Sequence, residues 1–441
     1  MHIISKILHG LAVKGIICCT ATAVFAQTQT DDATNTFTPY SLYGLGDLAK
    51  PGIAYNLGMG GVGTGVRTPR VINFINPAAL TAHDSLSFMF DFGIETQNYY
   101  SANYSAGEKQ YSAANNMNIH HIVMSFPVYD RVIVGFGLLP YSSVGYNIQR
   151  KENRDSIIAE TGHTYYQYTG EGGITQGVLS IGVPIGKRLS LGGQAQYYFG
   201  SIDRYSIVDF EAGAGYSDLT SGQLLKVGNF GFALGAQYEH PLKNNLMLTV
   251  GATYQFATKI GKRKIDFAYT TTGSLVDTVA WNTNTDDLMS LPATVSAGFS
   301  LHKFDRWMFA LDYVFQDWRN SGFENQSPTK TFKVTPSHLL RTGFEWIPSR
   351  TDFRNYFKRC SYRVGLSYEN TYMRFSGHNI NNISATIGFG FPINRWNNSV
   401  NFSAEVGRRG TTKNDLIRET YMKFSFSFSV YDIWFIKPKI E

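Results

Sequence analysis

From about residue 85 to the end of the chain, apolar and polar positions alternate with period two, the spacing that sends successive side chains to opposite faces of a strand. The clearest stretch is YMKFSFSFSVY, where Phe424, Phe426, Phe428 and Val430 fall on one face and Lys423, Ser425, Ser427 and Ser429 on the other. Leu86, Phe88, Phe90, Phe92 and Ile94 alternate with Ser87, Met89, Asp91, Gly93 and Glu95 in the same way. The pattern predicts fourteen strands, near 85–99, 115–127, 131–147, 165–183, 188–206, 225–241, 245–268, 288–302, 306–320, 336–347, 361–374, 382–391, 398–408 and 419–431.

Every second connection is short, and several share a spelling: FPVYDR at 126–131, VPIGKR at 183–188, HPLKNN at 240–245 and FPINRW at 391–396. The intervening ones, around 207–224, 269–287 and 321–335, are longer and more polar. Tight turns at one end and long loops at the other are the signature of an outer-membrane barrel. A soluble β-sandwich also alternates, but its polar face meets water and collects charge, whereas here Ser, Gly, Thr, Gln and Asn dominate that face. Aromatic residues near the strand ends (Tyr99, Tyr100, Tyr197, Tyr254, Trp307, Trp318, Trp346, Tyr368, Tyr372) would form the interfacial girdles. Lipid cannot satisfy backbone N–H and C=O groups, so strands cross a membrane only in a closed sheet. The expected fold is all-β, a 14-stranded antiparallel transmembrane β-barrel wide enough to need something in its lumen.

The flanks do not alternate. Lys6 and Lys14 bracket a short apolar run ending in ICCTATAVFA, which reads as an export signal over residues 1–26, with Val24 and Ala26 placing cleavage before Gln27. Cys18 and Cys19 lack the small preceding residue that lipidation requires. Residues 27–84 are turn-rich yet carry Leu57, Met59, Val62, Val66, Val71, Ile72, Phe74, Ile75 and Leu80, too apolar for a free tail, so an N-terminal plug or hatch is expected there. The barrel then occupies 85–431, and YDIWFIKPKIE leaves a short periplasmic tail at 432–441.

Composition excludes more than it adds. Without Lys6 and Lys14 the formal charge falls from +6 to +4, and no basic run interleaves with aromatics, so nucleic acid is not an expected partner. Cys360 is the one cysteine after the signal, which rules out an internal disulfide. No G-x-S-x-G elbow and no H-E-x-x-H motif occurs, so no catalytic, cofactor-binding or metal residue is assigned and no enzyme is expected. His120 and His121 are adjacent, which in a regular strand points them to opposite faces. The inward face would carry Asp91, Glu95, Asp312, Arg341, Glu345, Arg363, Glu369 and Glu405, read as charge pairs that fix the plug and solvate the lumen. GMGGVG at 58–63 satisfies the spacing of a dinucleotide fingerprint but lacks the strand before and the helix after it, so it reads as a compact turn that needs positive φ.

Gly58-Met59-Gly60-Gly61, followed after a polar gap by Asn76-Pro77-Ala78-Ala79-Leu80 just before the first strand, resembles the N-terminal region of the FadL-type outer-membrane transport proteins. Leu291-Pro292-Ala293-Thr294 opening a later strand is similar, and Tyr40-Ser41-Leu42-Tyr43-Gly44-Leu45-Gly46-Asp47 together with Trp434-Phe435-Ile436-Lys437 resembles the branch found in Bacteroidota. The resemblance implies a lumenal hatch carried by Gly58, Gly60, Gly61, Asn76, Pro77 and Ala78. It also implies passage of hydrophobic, fatty-acid-like molecules with lateral exit at a kinked third strand, for which Pro140, Tyr141 and Ser142 are the candidates. The expected partners are outer-membrane lipids and a hydrophobic small molecule. An alternative is a non-transporting barrel that serves as an accessory or scaffold subunit of an outer-membrane assembly or secretion complex, with outer-membrane or periplasmic protein partners.

Overall fold

The structure is a computed structural model that describes residues 36–105, 108–129, 131–211, 215–285, 289–324, 331–352, 354–393, 398–412 and 416–434. The export signal and most of the tail after Ile433 lie outside the described residues. The barrel strands run Ser87–Ser105, Glu108–Tyr129, Val132–Ser143 (resumed as Tyr146–Lys151), Tyr165–Ile185, Leu189–Asp209, Asp218–Pro241, Leu246–Gln255 (resumed as Gly261–Thr272) and Leu275–Asn284 (resumed as Thr294–Lys303). They continue with Trp307–Gln316, Ser337–Trp346, Ser361–Phe375, His378–Pro392, Ser399–Gly410 and Arg418–Ile433. Counting each interrupted run once gives fourteen antiparallel strands, and the first closes on the last from Ser87↔Ile433 to Ala102↔Arg418.

The predicted alternation is present and turned inside out relative to a soluble protein. In the last strand Ser425, Ser427 and Ser429 are buried, while Phe424, Phe426 and Phe428 are 38–45% exposed. Leu234, Val364, Leu366, Ile383 and Ile387 are likewise exposed on the outer face. An apolar outer band around a buried polar face is what a lipid solvent selects.

Two expectations need correction. The stretches 207–224 and 269–287 are largely strand, because the sixth strand begins at Asp218 and Gly261–Thr272 pairs with Leu275–Asn284 in a projecting hairpin. Leu275–Asn284 is exposed along its whole length, and its apolar residues, among them Leu275 next to Val276, do not alternate with polar ones, so no period-two signal arises. Three of the expected girdle aromatics, Tyr99, Trp318 and Tyr372, are instead buried inside. Tyr99 shares the inward parity of Asp91 and Glu95, Trp318 sits in a 3-10 turn after its strand, and Tyr372 lies within a register shift between Asn370 and Arg374. Tyr100, Tyr197, Tyr254, Trp346 and Tyr368 do face outward, 40–51% exposed.

The lumen holds two apolar clusters. One, toward the short turns, joins Ile53, Met59, Val62, Ile72, Phe74 and Leu80 to the strand residues Val123, Ile133, Met308 and Ala310. The other, toward the long loops, joins Tyr40 and Leu45 to Tyr198, Ile202, Leu225, Trp318, Tyr372 and Phe375.

Candidate functional site

The N-terminal segment is held by backbone contact, because strands around the ring present glycines where it passes. A Cβ at Gly251 would meet Thr64 O at 1.9 Å, at Gly365 the Gly60 N at 2.2 Å, at Gly192 the Ala78 N at 2.4 Å, and at Gly388 the Gly58 Cα at 2.9 Å. Gly60 and Gly61 have φ of 73° and 84°, the left-handed region where glycine is favoured. Their turn directs the next amides outward: Gly63 N and Thr64 N donate to Asp312 Oδ2 at 2.6 and 2.8 Å, and Gly65 N donates to Asp312 Oδ1 at 3.4 Å. The glycine-rich loop thus cradles an anion after all, a carboxylate of the barrel wall instead of a phosphate.

Asn76 ties the second part of the segment. Its Oδ1 accepts from Ala78 N at 3.1 Å, capping the Pro77–Ala82 turn, and its Nδ2 donates to Thr64 O at 2.9 Å and to Ala236 O of the sixth strand at 3.1 Å. His83 follows, buried, with Nε2 donating to Val71 O at 3.1 Å and Nδ1 accepting from the Ser125 hydroxyl at 3.1 Å. Burial pushes its pKa down to about 4, with Arg67 adding to the fall.

Besides Asp312, several of the inward charges foreseen along the strands engage this segment, while Asp91 and Glu95 bond within the wall. Lys50 Nζ contacts Glu405 at 2.7 Å, Tyr55 OH donates to Glu345 at 2.9 Å, and Arg363 Nε reaches the other oxygen of Glu345 at 2.9 Å. Asp47 meets Arg409 at 2.5 Å, Tyr99 OH at 2.8 Å and Lys423 at 3.7 Å. Burial alone would raise its pKa, but Arg409 and then Lys423 hold it at about 2.

Above the segment, between the two apolar clusters, lies a cavity of about 240 Å³. Its lining mixes Leu48, Leu57, Phe74, Ile75, Leu139, Pro140, Tyr141 and Val178 with Lys50, Glu95, Gln176, Gln194, Arg341, Glu369, Glu405, Arg409 and Lys423. At Leu139, Pro140 and Tyr141 the lining comes from the third strand, which here departs from the wall. Its ladder to the second strand ends at Ile122↔Leu138, whereas the second strand's ladder to the first continues to Ser105↔Glu108. Beyond that point the third strand's partner on this side is the N-terminal segment: Ala49 N donates to Tyr141 O at 2.9 Å, and Asp47 and Leu48 pair with Ser143 and Ser142. Pro140 has no N–H to give a ladder, and the register to the fourth strand slips between Pro140 and Ser142, leaving Tyr141 as the bulged residue. Pro140 and Tyr141 therefore sit together on the cavity wall, while the glycine and Asn-Pro-Ala motifs sit beneath it.

One adjacency reading is overturned. A register shift between Gly93 and Ile94 skips His120 in the ladder, so His120 and His121 both turn inward with their Nδ1 atoms 2.8 Å apart. His121 Nε2 bonds Asp91, which also accepts from the Ser429 hydroxyl. A bulge of this kind leaves no mark in an alternation count. Among the described residues no group of three or more His, Cys, Asp or Glu is arranged to hold a metal ion.

Solved outer-membrane channels share this architecture. The Pseudomonas putida toluene transporter TodX aligns with TM-score 0.59 and 14% identity, over 88% of this chain and 100% of that one. The Ralstonia pickettii toluene transporter TbuX gives 0.56 and 14%, over 86% and 98%, and a Pseudomonas aeruginosa FadL homologue gives 0.54 and 14%, over 88% and 99%. At such identity the likeness establishes the fold alone, a closed fourteen-stranded antiparallel β-barrel like theirs. No curated protein matches the chain in sequence. The profile of the family described as BamG matches residues 11–441, nearly the whole chain, and the protein belongs to that family.

Proposed function

We propose that this protein is an outer-membrane channel, not an enzyme, that takes up hydrophobic small molecules and releases them sideways into the membrane. On this reading the N-terminal segment is a plug that closes the direct route to the periplasm. The loop end faces outward, and ligand moves from the central cavity past Leu139, Pro140 and Tyr141 toward lipid. The observation that carries the reading is the loss of pairing between the second and third strands beyond Ile122↔Leu138, beside a cavity lined at the third strand by Leu139, Pro140 and Tyr141. Met117 and Ile119, 64% and 63% exposed, edge the same stretch of the second strand. The structural neighbours include toluene transporters and a monoaromatic hydrocarbon channel, which agrees in class.

Replacing Pro140 with Val restores an N–H and tests the route. Proteoliposomes with the full chain are to be assayed for uptake of radiolabelled toluene and palmitate; P140V is expected to lower uptake about 3- to 10-fold with an intact barrel. Uptake equal to wild type by the variant removes the lateral route.

A second reading, an accessory subunit of an outer-membrane assembly, is favoured by one feature. The Leu275–Asn284 strand projects past the barrel with Leu275, Val276, Val279 and Trp281 62–74% exposed, a combination of open edge and apolar side chains that isolated barrels ordinarily avoid. Stoichiometric co-purification of a protein in mild detergent that is lost on deleting 273–284 would support it.

A further inference from the structure

The turn end of the barrel contains a second recess, separate from the cavity above. It is lined by Arg70 of the N-terminal segment, Arg350 and Arg359 of the connection between the tenth and eleventh strands, and Glu345 and Arg363 of those strands. The acids nearby are already engaged. Both oxygens of Glu345 are taken, one by Arg363 and one by the Tyr55 hydroxyl, and Arg363 also lies 4.2 Å over the Tyr55 ring. Asp305 is shared, in contact with Arg70 and 3.7 Å from Arg350. Among the described residues, four guanidinium groups of this recess thus face two carboxylates. Within this set the Nε of Arg359 is buried and makes no hydrogen bond among the described residues. A buried guanidinium donor without an acceptor is destabilising, so it is retained where something accepts from it. Arg350 feels the same excess: burial, then the neighbouring Arg70, push its pKa down to about 10.

We propose that this recess binds a phosphate monoester group, held chiefly by Arg350 and Arg359. The excess of two positive charges matches the charge of a monoester near neutral pH, about −1.5 to −2, better than the single charge of a carboxylate. Guanidinium forks present paired donors to phosphate oxygens, which ammonium groups do not. Ser361, Ser399 and Asn401 on the same wall supply uncharged polar groups beside the forks. The site lies at the opposite end of the lumen from the projecting hairpin and is independent of what the upper cavity carries.

The test is equilibrium dialysis of [32P]phosphate against the full-length protein in an uncharged detergent. Saturable binding at one site per chain is expected for wild type, with at least a 10-fold loss in R350Q/R359Q. The control R150Q/R319Q removes the same charge from exposed positions at the loop end and is expected to bind like wild type. Heat-dependent mobility on gels verifies that each barrel is folded, and should the double variant misfold, R359Q alone is expected to lose about 3- to 5-fold. Displacement of bound phosphate by nanodiscs containing phosphatidic acid, and not by phosphatidylcholine nanodiscs, would assign the monoester to a lipid headgroup; no displacement by either would assign it to a soluble compound. No saturable binding by wild type, or an equal loss in the two double variants, overturns the proposal.

Discussion

The two apolar clusters in the lumen differ in what holds them. Toward the turns the N-terminal segment meets the wall backbone to backbone, at glycines that leave no room for a methyl group. Toward the loops it meets the wall by backbone at one strand, where Thr38 N donates to Gly145 O at 3.0 Å, and elsewhere through large rings: Tyr43 packs on Phe332 and Phe375 at centroid distances of 5.1 and 4.6 Å. Backbone contact admits one arrangement, whereas side chains reach new arrangements by rotamer changes that cost little. The comparison makes the turn end a fixed seat and the aromatic contacts of the loop end the part able to yield, with the third strand, to which Asp47 and Leu48 pair, joining the two.

The most severe way to break this contrast is to add volume to the seat. Gly251→Val drives side-chain atoms into Thr64 O, and overpacking of a rigid contact is expected to cost at least ~3 kcal/mol, expelling residues 53–82 or preventing barrel formation. At the loop end, Phe332→Leu, a change of similar chemistry and modest volume, is expected to cost less than about 1.5 kcal/mol. Midpoints of the heat-dependent mobility shift, with protease sensitivity of the N-terminal segment, measure both. Equal losses in the two variants would remove the distinction between seat and yielding end.

A smaller effect attends the electrostatic part of the seat. Asp312→Ala leaves the buried amides of Gly63 and Thr64 without an acceptor, at an expected cost of about 2–3 kcal/mol. Asp312→Asn keeps one carbonyl oxygen and is expected to lose about half of that. A neutral result in both would mean that the glycine turn is held by shape alone.

Much of this was readable in the chain. Period-two alternation located all fourteen strands because lipid outside and polar groups inside demand opposite faces at every step. The inward charges Asp312, Glu345 and Glu405 were readable by parity, though their partners Gly63, Tyr55 and Lys50 were not, since those contacts span some 250 to 355 positions of sequence. GMGGVG announced a turn with positive φ; that its following amides enclose a carboxylate depends on a wall strand brought near only by closure of the barrel. His120 and His121 failed for a different reason, since a single bulge reverses parity without altering composition. The Leu275–Asn284 strand was missed because water bathes both its faces.

The finest probe of the comparison is pH, acting on His83 at the seat. The imidazole is neutral in the docked segment, with Nε2 donating to Val71 O, because a carbonyl only accepts; the Ser125 hydroxyl of the second strand therefore donates to Nδ1. Burial holds its pKa near 4, against about 6.5 for an exposed histidine. The sign follows from proton binding: between these values the undocked chain carries the proton and the docked one does not, so docking is strongest above pH 6.5 and weakens as pH falls toward 4. From pH 6.5 to 5 the loss is about 2 kcal/mol, at ~1.4 kcal/mol per unit. His83→Gln keeps a donor for Val71 O and takes no proton, so its protease sensitivity should be flat over that window while wild type becomes more sensitive. Hydrogen exchange at Tyr43 and Leu45, in the aromatic cluster at the other end, is expected to stay unchanged over the same range until the seat itself gives way. Parallel changes at both ends at each pH would mean that the segment undocks as one unit, with no boundary between the fixed and the yielding half.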